Sequence, residues 1–133
     1  MKPVAVPPAD ELTADWWDAT REHRLTVQTC GHCSGTQHPP RAVCISCGRT
    51  DQLAMREAGG GGVVDSCTVV HRAPVRDLDV PYVIARVRLD EGPILLTRLE
   101  GRDPDSWRID DRVTVDWVDL ADGRALPVFS PEN

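Results

Sequence analysis

The chain has 133 residues, of which 41% are hydrophobic and 27% charged, and its net charge at neutral pH is −6. That length suits one ordinary domain, or a small metal module joined to a slightly larger one. No run is long and apolar enough to span a membrane. The acidic balance disfavours a general nucleic-acid surface, on which Lys and Arg must neutralise phosphate.

The acidity is uneven. Residues 1–62 carry six basic and seven acidic side chains, whereas residues 63–133 carry nine and fourteen. Within the second half, Glu100 to Asp122 holds eight acids against three arginines, while His71 to Arg98 holds five arginines against four acids.

In chain order, residues 1–9 contain three prolines and no periodic pattern, which reads as a disordered or extended leader or linker. Residues 10–29 predict a helix from Asp10 followed by a lead-in strand, Leu25 to Gln28. Asp10 or Thr13 can cap the helix. Glu11, Asp15 and Asp18 suit its positive end, and Arg21, His23 and Arg24 suit its close. Leu12, Trp16, Ala19 and His23 share one face, and Trp17 widens it beyond what so short a helix needs for itself. That surface packs either on the chain's own domain or against a partner.

Residues 30–58 carry two cysteine pairs, Cys30-Gly31-His32-Cys33 and Cys44-Ile45-Ser46-Cys47, with ten residues between them. Each C-x-x-C turn brings its second sulfur back beside the first, so two such turns can face each other around one ion. Four thiolates close a tetrahedral sphere and leave no position for water or substrate, which makes Zn2+ at Cys30, Cys33, Cys44 and Cys47 structural. Two other readings stand beside it. A disulfide framework fits a short secreted chain, but the N-terminus has no basic flank leading into an apolar core. Iron suits the same soft ligands and would colour the protein. Reduced cysteines without such a signal segment point to a cytoplasmic protein. Cys67, in a β-branched run, reads as a small buried hydrophobe.

Residues 59–133 open with Gly59 to Gly62, a hinge or a turn into a strand. The run lacks the Lys-Ser/Thr ending of a phosphate loop. Beyond it the pattern alternates with period two: Val63 to His71, Val83 to Leu89, Ile94 to Leu99, Val113 to Val118 and Leu126 to Phe129, the last two joined at Asp122-Gly123. Pro127 places the final strand at an edge or strand end. Five short strands without a long intervening helix predict a five-stranded OB-fold barrel, and the fold class is mainly β.

The order of Trp16-Trp17, Gln28-Thr29-Cys30-Gly31-His32-Cys33, His38-Pro39-Pro40-Arg41, Cys44-Ile45-Ser46-Cys47-Gly48, Thr68-Val69-Val70-His71-Arg72, Pro81-Tyr82-Val83 and Leu126-Pro127-Val128-Phe129 resembles the zinc-ribbon/OB-fold acyl-CoA-associated family. That family is also called domain of unknown function 35. The resemblance runs from about Trp16 to Pro131. It implies an N-terminal helix, a rubredoxin-like zinc ribbon and a C-terminal OB barrel. It also implies an accessory role toward thiolase-fold enzymes that act on acyl-CoA, including aldolases that shorten steroid side chains. Some relatives carry the domain behind a hot-dog-fold enoyl-CoA hydratase, which would make the leader the cut end of a fusion. The chain departs from the family at two points. His23 stands where relatives commonly have glycine, which alters how the helix ends, and the tetraglycine is expected to loosen the junction between ribbon and barrel.

No nucleophile with an adjacent base stands out, so the catalytic residues are assigned to the partner and the chain is read as a component of a lyase or acyltransferase complex. His71, Arg72, Arg76 and Arg41 are the candidates for contact with CoA or a partner's active site, because a guanidinium forks onto phosphate oxygens. Trp16 and Trp17 are the candidate partner interface. The competing class is an OB-fold nucleic-acid binder. It would need basic and aromatic residues interleaved, and here Tyr82, Trp107, Trp117 and Phe129 stand amid net acidity.

Overall fold

In a computed structural model, residues 5–76 and 78–132 are described; the first four positions of the expected leader lie outside them. One helix, α1 (Ala14–Thr20), is followed by eight strands. β1 (Thr26–Cys30), β2 (Thr36–Gln37) and β3 (Leu53–Glu57) form an antiparallel sheet in the order β2-β1-β3. β4 (Gly61–Val70), β5 (Tyr82–Leu89), β6 (Ile94–Leu99), β7 (Arg112–Asp119) and β8 (Ala125–Pro131) close a barrel in the order β4-β5-β6-β8-β7. The five-stranded barrel and the ribbon thus form as the sequence pattern predicts.

The helix is shorter than expected, because its first turn is spent on a reciprocal cap. The Asp10 carboxylate accepts from the Thr13 N–H at 2.9 Å and from the Thr13 hydroxyl at 3.0 Å, which holds residues 10–13 as a turn. At the other end the Arg24 N–H returns to the Ala19 carbonyl and the His23 N–H to the Thr20 carbonyl. That pattern requires a left-handed residue between them. His23 supplies it at φ 54°, the conformation glycine adopts most readily. Its ring stacks on Trp117 and bonds the Asp119 carboxylate at 2.7 Å.

The tetraglycine is a close-packed junction, not the loosened one expected. A Cβ at Gly60 (φ 89°) would lie 2.6 Å from a Val115 methyl, and one at Gly62 would lie 2.6 Å from the Arg88 carbonyl. Gly61 and Gly62 already belong to β4, where they pair with β7 and complete the closure. Glycine fits because the Val115 side chain approaches Gly60 and the Arg88 backbone approaches Gly62 too closely for a Cβ.

Pro127 sits inside β8, opposite Trp117 of β7. On its other flank β8 meets β6 only at Leu99 and Phe129, so the missing proline N–H breaks no ladder there. The Thr97 hydroxyl bonds the Pro127 carbonyl across that gap at 3.0 Å.

One apolar core joins the parts. Val64, Val83, Val87, Leu89, Val113 and Phe129 fill the barrel, and the same cluster continues through Trp16, Trp17, Leu25 and Val27. The Trp pair is therefore covered by its own chain: the rings meet edge to face 4.8 Å apart and are only 7% and 9% exposed. Cys67 is half-buried against this core.

Candidate metal centre and partner-facing surfaces

The two cysteine turns are built alike. The Ser34 N–H returns to the Cys30 carbonyl and the Gly48 N–H to the Cys44 carbonyl, each at 2.9 Å. Cys30 and Cys44 are buried, whereas Cys33 and Cys47 lie on the outer side. The Cys30 and Cys47 sulfurs are 3.8 Å apart, those of Cys33 and Cys44 are 3.6 Å apart, and all four lie within 4.8 Å of one another. Zn–S bonds of about 2.3 Å in a tetrahedron put sulfurs about 3.8 Å apart, so the donor set fits Zn2+.

The local backbone prepares the ligands. N–H groups of Cys47 and Ser46 lower the Cys44 thiol to about 6, and those of Cys33 and His32 lower Cys30. Cys47 is pushed up to about 11: the Arg49 N–H lowers it, but burial and the neighbouring sulfurs outweigh that donor. Binding of the ion displaces the remaining protons. With four protein ligands the metal holds the fold and has no open site for chemistry.

Two buried glutamines tie the second cysteine turn to the sheet, a role not read from the sequence. The Gln28 side chain accepts from the Arg41 N–H and donates to the Arg41 carbonyl, each at 2.9 Å. Gln37 donates to the Gln28 amide oxygen and to the Val43 carbonyl, and accepts from the Ile45 N–H. Residues 38–45 are irregular, so these amides replace the missing ladder. No local signal separates Gln28 and Gln37 from solvated glutamines; only the pairing of Gln28 with Gln37 across β1 and β2 brings them together.

Beside this loop lies an apolar groove of about 270 Å3 between Trp16, Trp17, Pro40, Leu95 and Leu126, with Leu96 at its mouth. Leu96 is 76% exposed. His38 faces the same groove; burial lowers its imidazole to about 4, so it is neutral at physiological pH. Pro7 closes one end of the groove and is fixed by Arg124, whose guanidinium bonds the Pro7 carbonyl and lies over the Trp17 ring at 4.5 Å. Arg124 is only 6% exposed and pairs with Asp122, so this part of the leader is anchored and not a free linker.

The remaining candidates separate. His71, Arg72 and Arg76 are exposed on the segment joining β4 to β5, and Arg41 is exposed on the ribbon loop. The Arg41 backbone, not its guanidinium, is what the glutamines hold.

Comparison with known proteins decides the family. Residues 17–53 match the description "ChsH2, rubredoxin-like zinc ribbon domain" and residues 55–118 match "ChsH2, C-terminal OB-fold domain". The chain belongs to the ChsH2 (DUF35) family. It is 38% identical to a "Probable enoyl-CoA hydratase alpha subunit" of Thermomonospora curvata over 98% of this chain and 42% of that protein. It is 32% identical to the "3-oxo-4,17-pregnadiene-20-carboxyl-CoA hydratase alpha subunit" of Mycobacterium tuberculosis, over 96% of this chain and 40% of that one. The chain thus spans less than half the length of those relatives. A "DUF35 domain-containing scaffold protein" of Methanothermobacter thermautotrophicus is 31% identical over 77% of this chain and 78% of its own. Among solved structures, a chain of the "Ltp2-ChsH2(DUF35) aldolase" superposes with a TM-score of 0.86 at 37% identity, over 95% of this chain and 98% of that one. ChsH2 relatives are therefore named as components of aldolase and hydratase assemblies, and no helix among the described residues is long and apolar enough to cross a membrane.

Proposed function

We propose that this chain is a noncatalytic accessory subunit or domain that binds and stabilises a thiolase-fold enzyme in acyl-CoA carbon–carbon bond chemistry, and that the reaction is retro-aldol cleavage of a steroid side-chain CoA thioester. The observation that carries this reading is the likeness along almost the whole chain to the Ltp2-ChsH2(DUF35) aldolase. The pregnadiene-carboxyl-CoA named for the M. tuberculosis relative supports the substrate class. The four-cysteine site fits a structural role, because its ligand sphere is complete.

In this reading the partner covers α1 and the groove beside Trp16 and Trp17. The tryptophans shape the groove from within while Leu96 offers the exposed apolar contact. His71, Arg72 and Arg76 form the polar face that would meet CoA phosphates or the partner's active site, with Arg41 a separate contact. A hot-dog-fold hydratase, joined upstream or bound separately, is a further member of the assembly, in line with the names of the longer relatives. The complex is assigned to the cytoplasm, where zinc thiolates stay reduced.

The test is an affinity pull-down of the zinc-loaded chain from its native extract, followed by size exclusion and mass spectrometry, and then an assay of the co-eluting enzyme on steroid-derived CoA thioesters. Stoichiometric recovery of a thiolase-fold enzyme whose cleavage activity depends on this chain is the expected result. Recovery of nucleic acid, or of no enzyme, would overturn the reading.

A further inference from the structure

The barrel closes between β6 and β8 at the bridge of Leu99 with Phe129, where the Glu100 N–H meets the Phe129 carbonyl at 2.9 Å. Toward the start of β6 the two strands part, and the reason lies in β8. In a parallel ladder β8 would next offer the main-chain groups two positions before Phe129. That residue is Pro127, which has no N–H to donate. Two positions earlier still, the Ala125 N–H is taken by the Thr20 hydroxyl of α1 at 3.1 Å. The β6 edge therefore runs unpaired along Ile94 and Leu96.

The pairing of β6 with β5 fixes where those main-chain groups point. The Leu89 N–H bonds the Pro93 carbonyl at 2.9 Å, and in that register the hydrogen-bonded pairs are Val87 with Leu95 and Ala85 with Thr97. Arg86 with Leu96 and Arg88 with Ile94 are the alternate, non-bonded pairs. The N–H and carbonyl groups of Ile94 and Leu96 thus face away from β5, toward the seam, and have no hydrogen-bond partner among the described residues. They are open to solvent at Leu96, which is 76% exposed.

The apolar groove beside Trp16 and Trp17 follows this edge, and a neighbouring one of about 420 Å3 continues past Leu96 and Pro39 to Ile94 and Arg86. Alternating donors and acceptors beside an apolar trough are the complement of another extended chain. At the Ile94 end the trough is cationic. Arg88 holds the Asp65 carboxylate at 2.8 Å, while Arg86 stands 4.0 Å from it and lines the trough.

We propose that the partner subunit adds a short extended segment to the free edge of β6, main chain to main chain at Ile94 and Leu96, with apolar side chains in the groove and an acidic residue against Arg86. The proposal rests on the accessory-subunit reading and names how that partner is held.

The test is hydrogen exchange read at single amides of the zinc-loaded chain, alone and bound to the enzyme that co-elutes with it. In the free chain Ile94 and Leu96 are expected to exchange fast, while Leu95 and Thr97, bonded to β5, exchange slowly. In the complex, exchange at Ile94 and Leu96 should slow by roughly tenfold or more. Two variants separate main chain from side chain: Leu96→Pro deletes the N–H that faces the seam without breaking a bond to β5, whereas Leu96→Ala keeps it. Leu96→Pro is expected to bind the enzyme roughly tenfold more weakly than Leu96→Ala does, and Arg86→Gln to flatten the salt dependence of binding. Zinc stoichiometry and melting are checked first; should Leu96→Pro lose either, exchange in the wild-type complex decides. Unchanged exchange at Ile94 and Leu96 in a complex that forms, or equal weakening by the two Leu96 variants, overturns the strand addition and leaves the accessory reading intact. Slow exchange at Leu96 in the free chain overturns it too, since residues 1–4 or a second copy would then fill the edge. Unaltered salt dependence in Arg86→Gln overturns the acidic residue on the partner segment. A wild-type chain that binds no enzyme overturns the accessory reading, and the strand addition with it.

Discussion

The ribbon and the barrel solve the same problem in opposite ways. The barrel closes its five strands by main-chain pairing around Val64, Val87, Val113 and Phe129, each 0% exposed. The ribbon has three strands, one of them two residues long, and its second cysteine turn lies on an irregular loop. A sheet that small buries too little apolar surface to stand alone, so the metal and two buried amides replace a core. Covalent and polar constraints thus hold the ribbon, whereas apolar burial holds the barrel, and α1 is packed into the core that both share.

The strongest way to break this contrast is Cys44→Ser. Structural zinc in small modules contributes roughly 10–16 kcal/mol of apparent binding energy coupled to folding, so the variant should lose its metal and unfold β1–β3. Hydrogen exchange should then show β1 and β3 amides unprotected while those of Val83–Leu89 persist. Loss of protection in both regions together would mean that the barrel depends on the metal as well. The converse substitution is Phe129→Ala, which empties the centre of the barrel at a cost of about 3–5 kcal/mol. Its melting temperature should drop sharply while one zinc per chain is retained at room temperature.

Two further substitutions sharpen the comparison within the ribbon. Gln37→Leu leaves the Val43 carbonyl and the Ile45 N–H unpaired, at a cost of about 1–3 kcal/mol. Faster zinc release to a chelator, with unchanged barrel exchange, is the expected outcome. At His23, glycine should be tolerated better than alanine by about 1 kcal/mol in thermal unfolding, because the left-handed backbone strains any residue with a Cβ.

The pH-dependent test concerns His38. Burial lowers its imidazole from the ordinary 6.5 to about 4, so protons bind the unfolded chain first. This group's contribution is complete above pH 6.5 and is lost as the pH falls toward 4. In an NMR titration the His38 ring signal should hold its neutral position through pH 5.

What could be read in advance follows the range of the interactions. The cysteine ligands are fixed by spacings of three residues within each pair, and the strand positions by alternation over six to ten residues, so both were visible in sequence. The family resemblance added the order of the parts and the partner class. His23 was expected to alter how the helix ends, but it adopts the left-handed conformation itself, at φ 54°, and the closing hydrogen bonds to Ala19 and Thr20 form. Of the two readings of the tetraglycine, the turn into a strand is the one that forms; the loosened junction does not, because Val115 and Arg88, residues far along the chain, lie close against it.

The sequence by itself determined the ligand set, the mainly β class and the five barrel strands, since each is written in local spacing. Only the tertiary structure decided that Trp16 and Trp17 lie in the common core, and that Arg124 is buried over Trp17 and grips Pro7. Those outcomes depend on contacts between residues up to 117 positions apart, which chain closure settles and which no local pattern encodes.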